Sequence, residues 1–207
     1  MITLNCISTS SGKLEHIRKL LSSSRVLKVV PNMFVEGVVE ETCGHLNALS
    51  KLAHARKYSS GPILVSDETL EFIGMPEDEQ PRAMVRRTAG LNATDEEVIM
   101  HYESIFKKND TNKINGLLKS YYAIDNAKGK REVFVLQESM AFRCPPARIF
   151  VKDRPLSSFH YLESYGCFFS ELDDKEKTSY IRKKGKNLVI LIEDFLSDAH
   201  NNLKVMK

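Results

Sequence analysis

Hydrophobic and polar positions along the first third of the chain follow two patterns, one typical of buried strands and one typical of amphipathic helices. Residues 2–8 read as a strand, and apolar residues recur at helical spacing over 14–21. A second amphipathic helix is predicted over 45–57, where the apolar residues share one face. The apolar run at 62–65 then predicts a buried strand that ends at Asp67.

The remaining two thirds of the chain continue an α/β pattern. Residues 94–97 form a capping-box sequence in front of an amphipathic helix. Residues 117–125 and 132–138 predict an antiparallel hairpin, and apolar positions over 188–199 predict a final amphipathic helix. We therefore expect one α/β domain over residues 1–207, in which helices flank a mixed central sheet and a cleft separates two lobes.

Composition and charge exclude several classes of protein. The 207 residues are 42% hydrophobic and 28% charged, and no apolar run is long enough to cross a membrane. Because the start of the chain also lacks a signal-peptide pattern, we expect a cytoplasmic protein without membrane contact. The net charge of +3 is small for a nucleic-acid-binding protein, so the basic run at 182–186 is expected to be a solvated helix face. The four cysteines and six histidines show no metal-ligand spacing, which favours reduced thiols over a zinc site.

An acidic pair and a hydroxyl-rich loop are the first candidates for chemistry. Asp67 and Glu68 follow a buried strand, and ligands of open α/β sheets gather at the carboxyl ends of such strands. A polar loop joins the first strand to the first helix, where free backbone amides and hydroxyls suit phosphate oxygens. The polar residues of that loop are Ser8, Thr9, Ser10 and Lys13.

The loop also has a simpler interpretation. It is not a P-loop, since Ile7 stands where a Walker A sequence needs Gly and Leu14 stands where it needs Ser or Thr. An ordinary helix N-cap and turn accounts for the same residues. The loop alone therefore does not assign a function.

More charged residues surround the second predicted helix. Glu40 and Glu41 precede it, and Lys51 lies within it. Carboxylates suit a hard divalent cation and lysines suit a polyphosphate, so the combination predicts metal-assisted phosphate chemistry.

Several of these segments resemble the inosine/xanthosine triphosphate pyrophosphatase family, and they occur in the family's order over residues 2–196. The family's T-G-N-x-x-K loop is similar to residues 8–13, its E-E-T-G and N-A-x-x-K segments to 40–43 and 47–51, and its D/E-D-S/T-x-L to 66–70. Its S-G-x-x-A-T-D helix entry is similar to residues 89–95, and its E-L/M-x-x-x-E-K segment to 171–177. The resemblance implies the pyrophosphatase fold and, as is common in the family, a homodimer.

The segments that recognise the base in that family are altered here. Residues 159–163 (Phe-His-Tyr-Leu-Glu) stand for F-G-Y-D-P, and 181–183 (Ile-Arg-Lys) stand for S-H-R. Ser66 also replaces the first acid of the family's acidic pair, and Ser10 replaces Asn of the first loop. The resemblance thus predicts a retained phosphate and metal half with altered base specificity.

The resemblance implies a role for each candidate residue. Mg²⁺ would lie between Glu41, Asp67 and the triphosphate, and Asp67 or Glu68 would orient the attacking water. The implied phosphate-binding residues are Ser8, Thr9, Ser10, Lys13, Lys51 and Lys177. The implied base-binding residues are Phe159, Tyr161, Arg182 and Lys183.

Three functional hypotheses follow from these residues. The first is a metal-dependent pyrophosphohydrolase that converts a nucleoside triphosphate to a monophosphate and pyrophosphate and clears aberrant purine nucleotides. The second is a catalytically weak or inactive paralogue that binds nucleotide or a protein partner. The third, a nucleic-acid-binding module, would rest on residues 182–186 and on Arg86 and Arg87.

Overall fold

The computed structural model describes residues 1–33 and 43–201, so the predicted metal ligand Glu41 lies outside the described residues. The strands within them are β1 (Ile2–Ser8), β2 (Leu27–Met33), β3 (Ile63–Phe72), β4 (Lys113–Asp125), β5 (Arg131–Arg143), β6 (His160–Leu162) and β7 (Cys167–Phe168). The α-helices are α1 (Ser11–Leu21), α2 (Gly44–Ala55), α3 (Asp95–Lys108) and α4 (Asp174–Asn201).

The described strands form one open mixed sheet in the order β2-β1-β3-β4-β5-β6-β7. Strand β1 is parallel to both β2 and β3, and every pairing from β3 onward is antiparallel. The long β4–β5 hairpin and the capping box of α3, in which Thr94 and Glu97 bond reciprocally, confirm two of the local predictions. The expected mixed sheet flanked by helices is confirmed as well.

Helices cover both faces of the sheet. Helix α2 packs through Ala48 and Leu52 against Ile63 and Val65 of β3. The opposite face carries two separate apolar cores. The first joins α1 and α4 to the sheet, and it includes Leu4, Leu20, Tyr122 and Ile192. The second joins α3 to the far end of the hairpin, and its largest members are Phe72, Tyr102, Phe106, Phe142 and Phe159.

Between those two cores, the same face of the sheet carries polar side chains. Alternate residues of β3 share this face, so Glu68 stands between Leu64 of the first core and Leu70 of the second. On β4, Ser120 pairs with Glu68 and Leu118 pairs with Leu70. On β5, Glu138 pairs with Leu118 and so lies on the same face. The gap between the cores is therefore the cleft of the fold.

The prediction that the third strand ends at Asp67 is wrong. Strand β3 continues to Phe72 because the long strand β4 pairs with it along its whole length. Strand β1, in contrast, pairs with β3 only as far as Val65. Asp67 and Glu68 thus lie inside β3 but beyond the end of β1, and their side chains leave opposite faces of the strand.

Candidate functional site

A cavity of about 510 Å³ occupies the gap between the two cores. Its lining comes from the N-terminus of α1, the middle of β3, β5 and the first turns of α4. Residues 83–87 and 153–157 form its rim. The lining includes five residues predicted for phosphate or metal chemistry, which are Thr9, Ser10, Lys13, Asp67 and Glu68. It also includes Arg86 and Arg87, on which the nucleic-acid hypothesis rested.

The polar loop after β1 acts as a helix cap and also faces the cavity. Ser10 is the N-cap of α1, and its hydroxyl accepts a hydrogen bond from the Lys13 amide at 3.2 Å. The Ser8 hydroxyl accepts from the Ser10 amide at 3.1 Å, so Ser8 stabilises the loop without lining the cavity. The cap interpretation is therefore correct, and the positive end of the α1 dipole still points to a cavity that contains Thr9 and Ser10.

Lys13 connects the two carboxylates of β3. Its Nζ lies 3.8 Å from Asp67 Oδ1 and 3.8 Å from Glu68 Oε2. It reaches both side chains because it extends from the first turn of α1 to the part of β3 that β1 does not cover.

Asp67 is 4% exposed and is held from the other face of the sheet as well. Lys51, on α2, donates to Asp67 Oδ1 at 2.6 Å. The second oxygen, Oδ2, is buried and has no hydrogen-bond partner among the described residues. A buried carboxylate oxygen without a partner is costly, so it is the kind of group that a metal ion or an ordered water satisfies.

Glu68 is bound by a residue that the sequence analysis missed. Arg154 NH2 lies 3.2 Å from Glu68 Oε1. Burial raises the pKa of Glu68, but the positive charges of Arg154 and Lys13 outweigh burial and lower that pKa to about 2. Burial and the nearby Arg154 lower the pKa of His16, another cavity residue, to about 3. At neutral pH the cavity floor thus contains an ionised Glu68 and an uncharged His16.

The loop that carries Arg154 is fixed by contacts with two helix N-termini. Asp153 has a positive φ of 62°, accepts a hydrogen bond from the Ser11 hydroxyl, and donates its amide to Asp95 Oδ2 at 3.0 Å. Gly12 permits this approach, because a Cβ there would lie 2.7 Å from the Lys152 carbonyl oxygen. The loop therefore holds Arg154 beside Glu68.

The part of the cavity lined by β5 and α4 contains Glu138 and a group of aromatic rings. Glu138 Oε1 accepts from the Tyr180 hydroxyl and lies 2.9 Å from Lys184 Nζ. The rings of His160 and Phe169 stack with centroids 5.8 Å apart. His160 lies in the segment 159–163 and Lys184 in the basic run 182–186, both of which the sequence pointed to. Sequence analysis did not select Glu138, Phe169 or Tyr180, because no motif or spacing links them.

Several residues predicted to bind phosphate or base are not brought to the cavity. Lys177 donates to the carbonyl oxygens of Ser170 and Leu172 and so caps the turn before α4. Phe159 is fully buried and stacks on Phe106 in the α3 core.

The other predicted base-binding residues also lie elsewhere. The Arg143 guanidinium covers the Tyr161 ring at 3.6 Å. Arg182 donates to the hydroxyl of Ser22, the C-cap of α1, and Lys183 is exposed. Of the segment 181–183, Ile181 is the residue that lines the cavity.

The described residues supply only some of the ligands that a magnesium ion needs. No group of three His, Cys, Asp or Glu side chains within them could hold a metal ion. Asp67 nevertheless lines the cavity and has one carboxylate oxygen, Oδ2, without a described partner. Mg²⁺ commonly takes one or two carboxylates and completes its shell with phosphate and water. The donor set therefore fits Mg²⁺ bound together with a polyphosphate.

Among the described helices, none is long and apolar enough to span a membrane.

Comparison with known proteins gives matches at the level of structure. No family model matches the sequence, and no curated protein matches it either. A HAM1 protein from Coxiella burnetii superposes with a TM-score of 0.71 at 20% identity, covering 94% of this chain and 100% of that one. The Staphylococcus aureus Ham1 protein gives 0.66 at 16% identity, covering 95% and 99%.

A third solved structure has a functional description. The nucleoside-triphosphatase / dITP/XTP pyrophosphatase from Mycobacterium abscessus gives a TM-score of 0.64 at 15% identity, covering 92% of this chain and 98% of that one. At such identities a structural likeness concerns the fold, because function depends on the site that a fold carries. The chain has the Ham1 fold, the fold that the resemblance in sequence predicted.

Proposed function

We propose that this protein is a nucleoside triphosphate pyrophosphohydrolase, which cleaves a nucleoside triphosphate to a monophosphate and pyrophosphate. The observation that carries the proposal is the buried Asp67 carboxylate, held by Lys51 and Lys13 beside a helix N-terminus and a cavity of about 510 Å³. The Ham1 fold supports it, since one protein of that fold is described as a dITP/XTP pyrophosphatase.

The triphosphate would bind at the N-terminus of α1. Backbone amides of the first turn, the hydroxyls of Thr9 and Ser10, and the Lys13 ammonium group supply donors and positive charge there. Stabilising the charge on the phosphoryl oxygens and on the leaving pyrophosphate is the largest contribution that such a site makes to the rate.

Asp67 is the residue that would act on the water or hold the metal. Lys51 fixes Oδ1, which leaves Oδ2 to bind Mg²⁺ or to accept a hydrogen bond from the attacking water. Glu68 is less suited to activate water, because Arg154 and Lys13 engage its carboxylate and hold its pKa at about 2. A bound Mg²⁺ would withdraw negative charge from the triphosphate oxygens. Glu41, predicted as a second ligand, lies outside the described residues.

The second hypothesis, a weak or inactive paralogue, keeps specific support. Arg154 engages Glu68, and none of the four predicted base-binding residues lines the cavity. A site rebuilt in this way could bind nucleotide without efficient turnover. A homodimeric state, a cytoplasmic location and relaxed discrimination between inosine and adenosine triphosphates stay predictions.

A panel of ribo- and deoxyribonucleoside triphosphates, assayed for pyrophosphate release with and without Mg²⁺, tests the proposal. We expect Mg²⁺-dependent release, and we expect Asp67→Asn to lower kcat/KM by about 10²-fold or more, since the amide cannot replace the charge. The matched control is Glu132→Gln, which neutralises an exposed acid on β5.

Far-UV circular dichroism would show that both variants keep the wild-type fold. Near wild-type turnover in Asp67→Asn would refute the mechanism. Nucleotide binding without release by the wild type would establish the paralogue instead, and salt-sensitive oligonucleotide binding would favour the nucleic-acid module.

A further inference from the structure

The part of the cavity lined by β5 and α4 contains the carboxylate of Glu138, which has one oxygen that accepts no described hydrogen bond. Glu138 also lines a small adjoining pocket of about 30 Å³ together with Glu68 and Arg154. Glu138 lies on β5, two strands from β3, so roughly 10 Å of sheet separates it from the acidic pair. Its Oε1 is engaged by Tyr180 and Lys184, whereas no described residue donates to Oε2.

We propose that this part of the cavity holds the nucleobase and that Glu138 selects bases carrying an exocyclic amino group. The inference rests on the proposed function, because it assumes that the phosphates occupy the part lined by α1. The substrates favoured by this site would be nucleotides of amino-bearing bases, such as adenine, guanine and cytosine. Bases that present only oxo groups would bind less tightly.

The surroundings of Glu138 suit a flat, largely apolar ring. Leu118 and Met140 share its face of the sheet, and both line the cavity. His160, Phe169 and Tyr180 form an aromatic wall beside them, with the Phe169 and Tyr180 rings 5.7 Å apart. Aromatic rings at such spacings offer stacking surfaces to a base, and stacking does not depend on which base is bound.

The hydrogen-bonding groups in this part of the cavity then determine which base fits. The carboxylate of Glu138, with Lys184 as its counter-ion, accepts hydrogen bonds and cannot donate them. Burial and the neighbouring Glu138 raise the pKa of Tyr180, so this hydroxyl keeps its proton and donates to Glu138. An amino group facing Oε2 gains a charge-assisted hydrogen bond, whereas an oxo group there meets a negative charge.

The segment that the sequence analysis assigned to base recognition does not oppose this preference. Ile181 lines the cavity with an apolar side chain, and Arg182 donates to Ser22 at the C-terminal end of α1. The donors expected from that segment are therefore absent from this part of the described cavity, and the acceptor Glu138 takes their place.

Calorimetric binding of non-hydrolysable α,β-imido triphosphates tests the inference, with two pairs of ligands that each differ by one amino group. Guanosine and inosine analogues differ at position 2, and adenosine and purine-riboside analogues differ at position 6. We expect the amino-bearing ligand of at least one pair to bind about tenfold tighter, which corresponds to roughly 1.4 kcal/mol. In Glu138→Gln, whose amide both donates and accepts, that ratio should fall below about threefold.

The wild-type ratios alone can overturn the inference, whatever the behaviour of the variant. Ratios near one in both pairs, tighter binding of the ligand that lacks the amino group, or no binding of any analogue would each overturn it. A tenfold preference for the amino-bearing ligand that remains in Glu138→Gln, with all affinities unchanged in the control Glu132→Gln, would also overturn the inference. Because binding is measured without turnover, an amino preference in a protein that releases no pyrophosphate would support the base assignment and refute the proposed reaction.

Discussion

Acidification should destabilise this protein through His160, an uncharged imidazole in the aromatic wall. His160 is 7% exposed, and its ring contacts Phe142, Phe169 and Tyr180. Burial lowers the pKa of His160 from 6.5 to about 4. Between these two values the unfolded chain binds a proton that the folded chain does not bind, so the free energy of unfolding falls as the pH falls.

The size of the effect follows from that pair of pKa values. The contribution is intact above pH 6.5 and declines as the pH drops from there toward 4. Proton linkage over the interval from about pH 7.5 to about pH 4.5 gives a loss of about 2.5 kcal/mol. Such a loss is a large part of the stability of an ordinary domain, which is about 5–15 kcal/mol.

Urea unfolding at several pH values, monitored by far-UV circular dichroism because the chain has no tryptophan, measures this contribution. The quantity compared is the difference between the wild type and His160→Phe, since carboxylates titrate in both proteins and cancel. A phenyl ring preserves the aromatic packing and removes the titrating group. The matched control is His45→Gln, which removes an exposed imidazole. If the wild type and His160→Phe lose stability in parallel down to the lowest pH, the buried neutral His160 does not account for acid sensitivity.

Two further predictions concern the phosphate end of the cavity. Lys13→Ala and Lys51→Ala should each weaken binding of a non-hydrolysable triphosphate whatever its base, and the loss measured by calorimetry should shrink at high salt, where screening already weakens such contacts. Gly12→Ala should lower the free energy of unfolding by about 1–3 kcal/mol and reduce turnover, because its Cβ would lie 2.7 Å from the Lys152 carbonyl oxygen and 2.9 Å from Arg154 Cγ and so displace the loop.

Matched variants separate these effects from general damage. Lys28→Ala removes an exposed lysine from β2 and should leave triphosphate affinity unchanged. Gly61→Ala adds a Cβ that meets only the end of the Asn5 side chain, at 3.2 Å, so it should be milder than Gly12→Ala. Unchanged affinity in both Lys13→Ala and Lys51→Ala would reduce the α1 loop to a helix cap. Equal stability of the two glycine variants would show that the loop does not pack on Gly12 as described.

Local patterns in the sequence were sufficient to predict most of the fold. The β4–β5 hairpin and α3 follow from strand periodicity and from the capping box at Thr94, because both are determined by residues close together in the chain. The boundaries were less accurate. Pairing with β4 extends β3 beyond Asp67. Helix α4 begins at Asp174, which forms an ion pair with Lys19 of α1, well before the apolar stripe that predicted the helix.

The site was predictable where its residues come from one local segment. Lys13 and Ser10 lie on the first turn of α1, so their position follows from the strand-to-helix transition. Arg154 meets Glu68 across 86 residues of chain, and Glu138 meets Tyr180 across 42. Sequence spacing cannot predict such pairs, because the register of the sheet and the packing of the loop at Gly12 bring them together.

The charge balance of the site bears on Ser66, which stands where the resembled pyrophosphatase family has an acid. The acidic pair is contacted by three cations, Lys13, Lys51 and Arg154, so these five described side chains carry a net charge of +1. An acid at position 66 would have cancelled that charge. The replacement therefore makes the site more attractive to a polyphosphate and less attractive to a free divalent cation. We accordingly expect Mg²⁺ to bind together with the triphosphate. Calorimetry should therefore detect no tight Mg²⁺ binding to the protein alone, and tight binding without a triphosphate would contradict this charge argument.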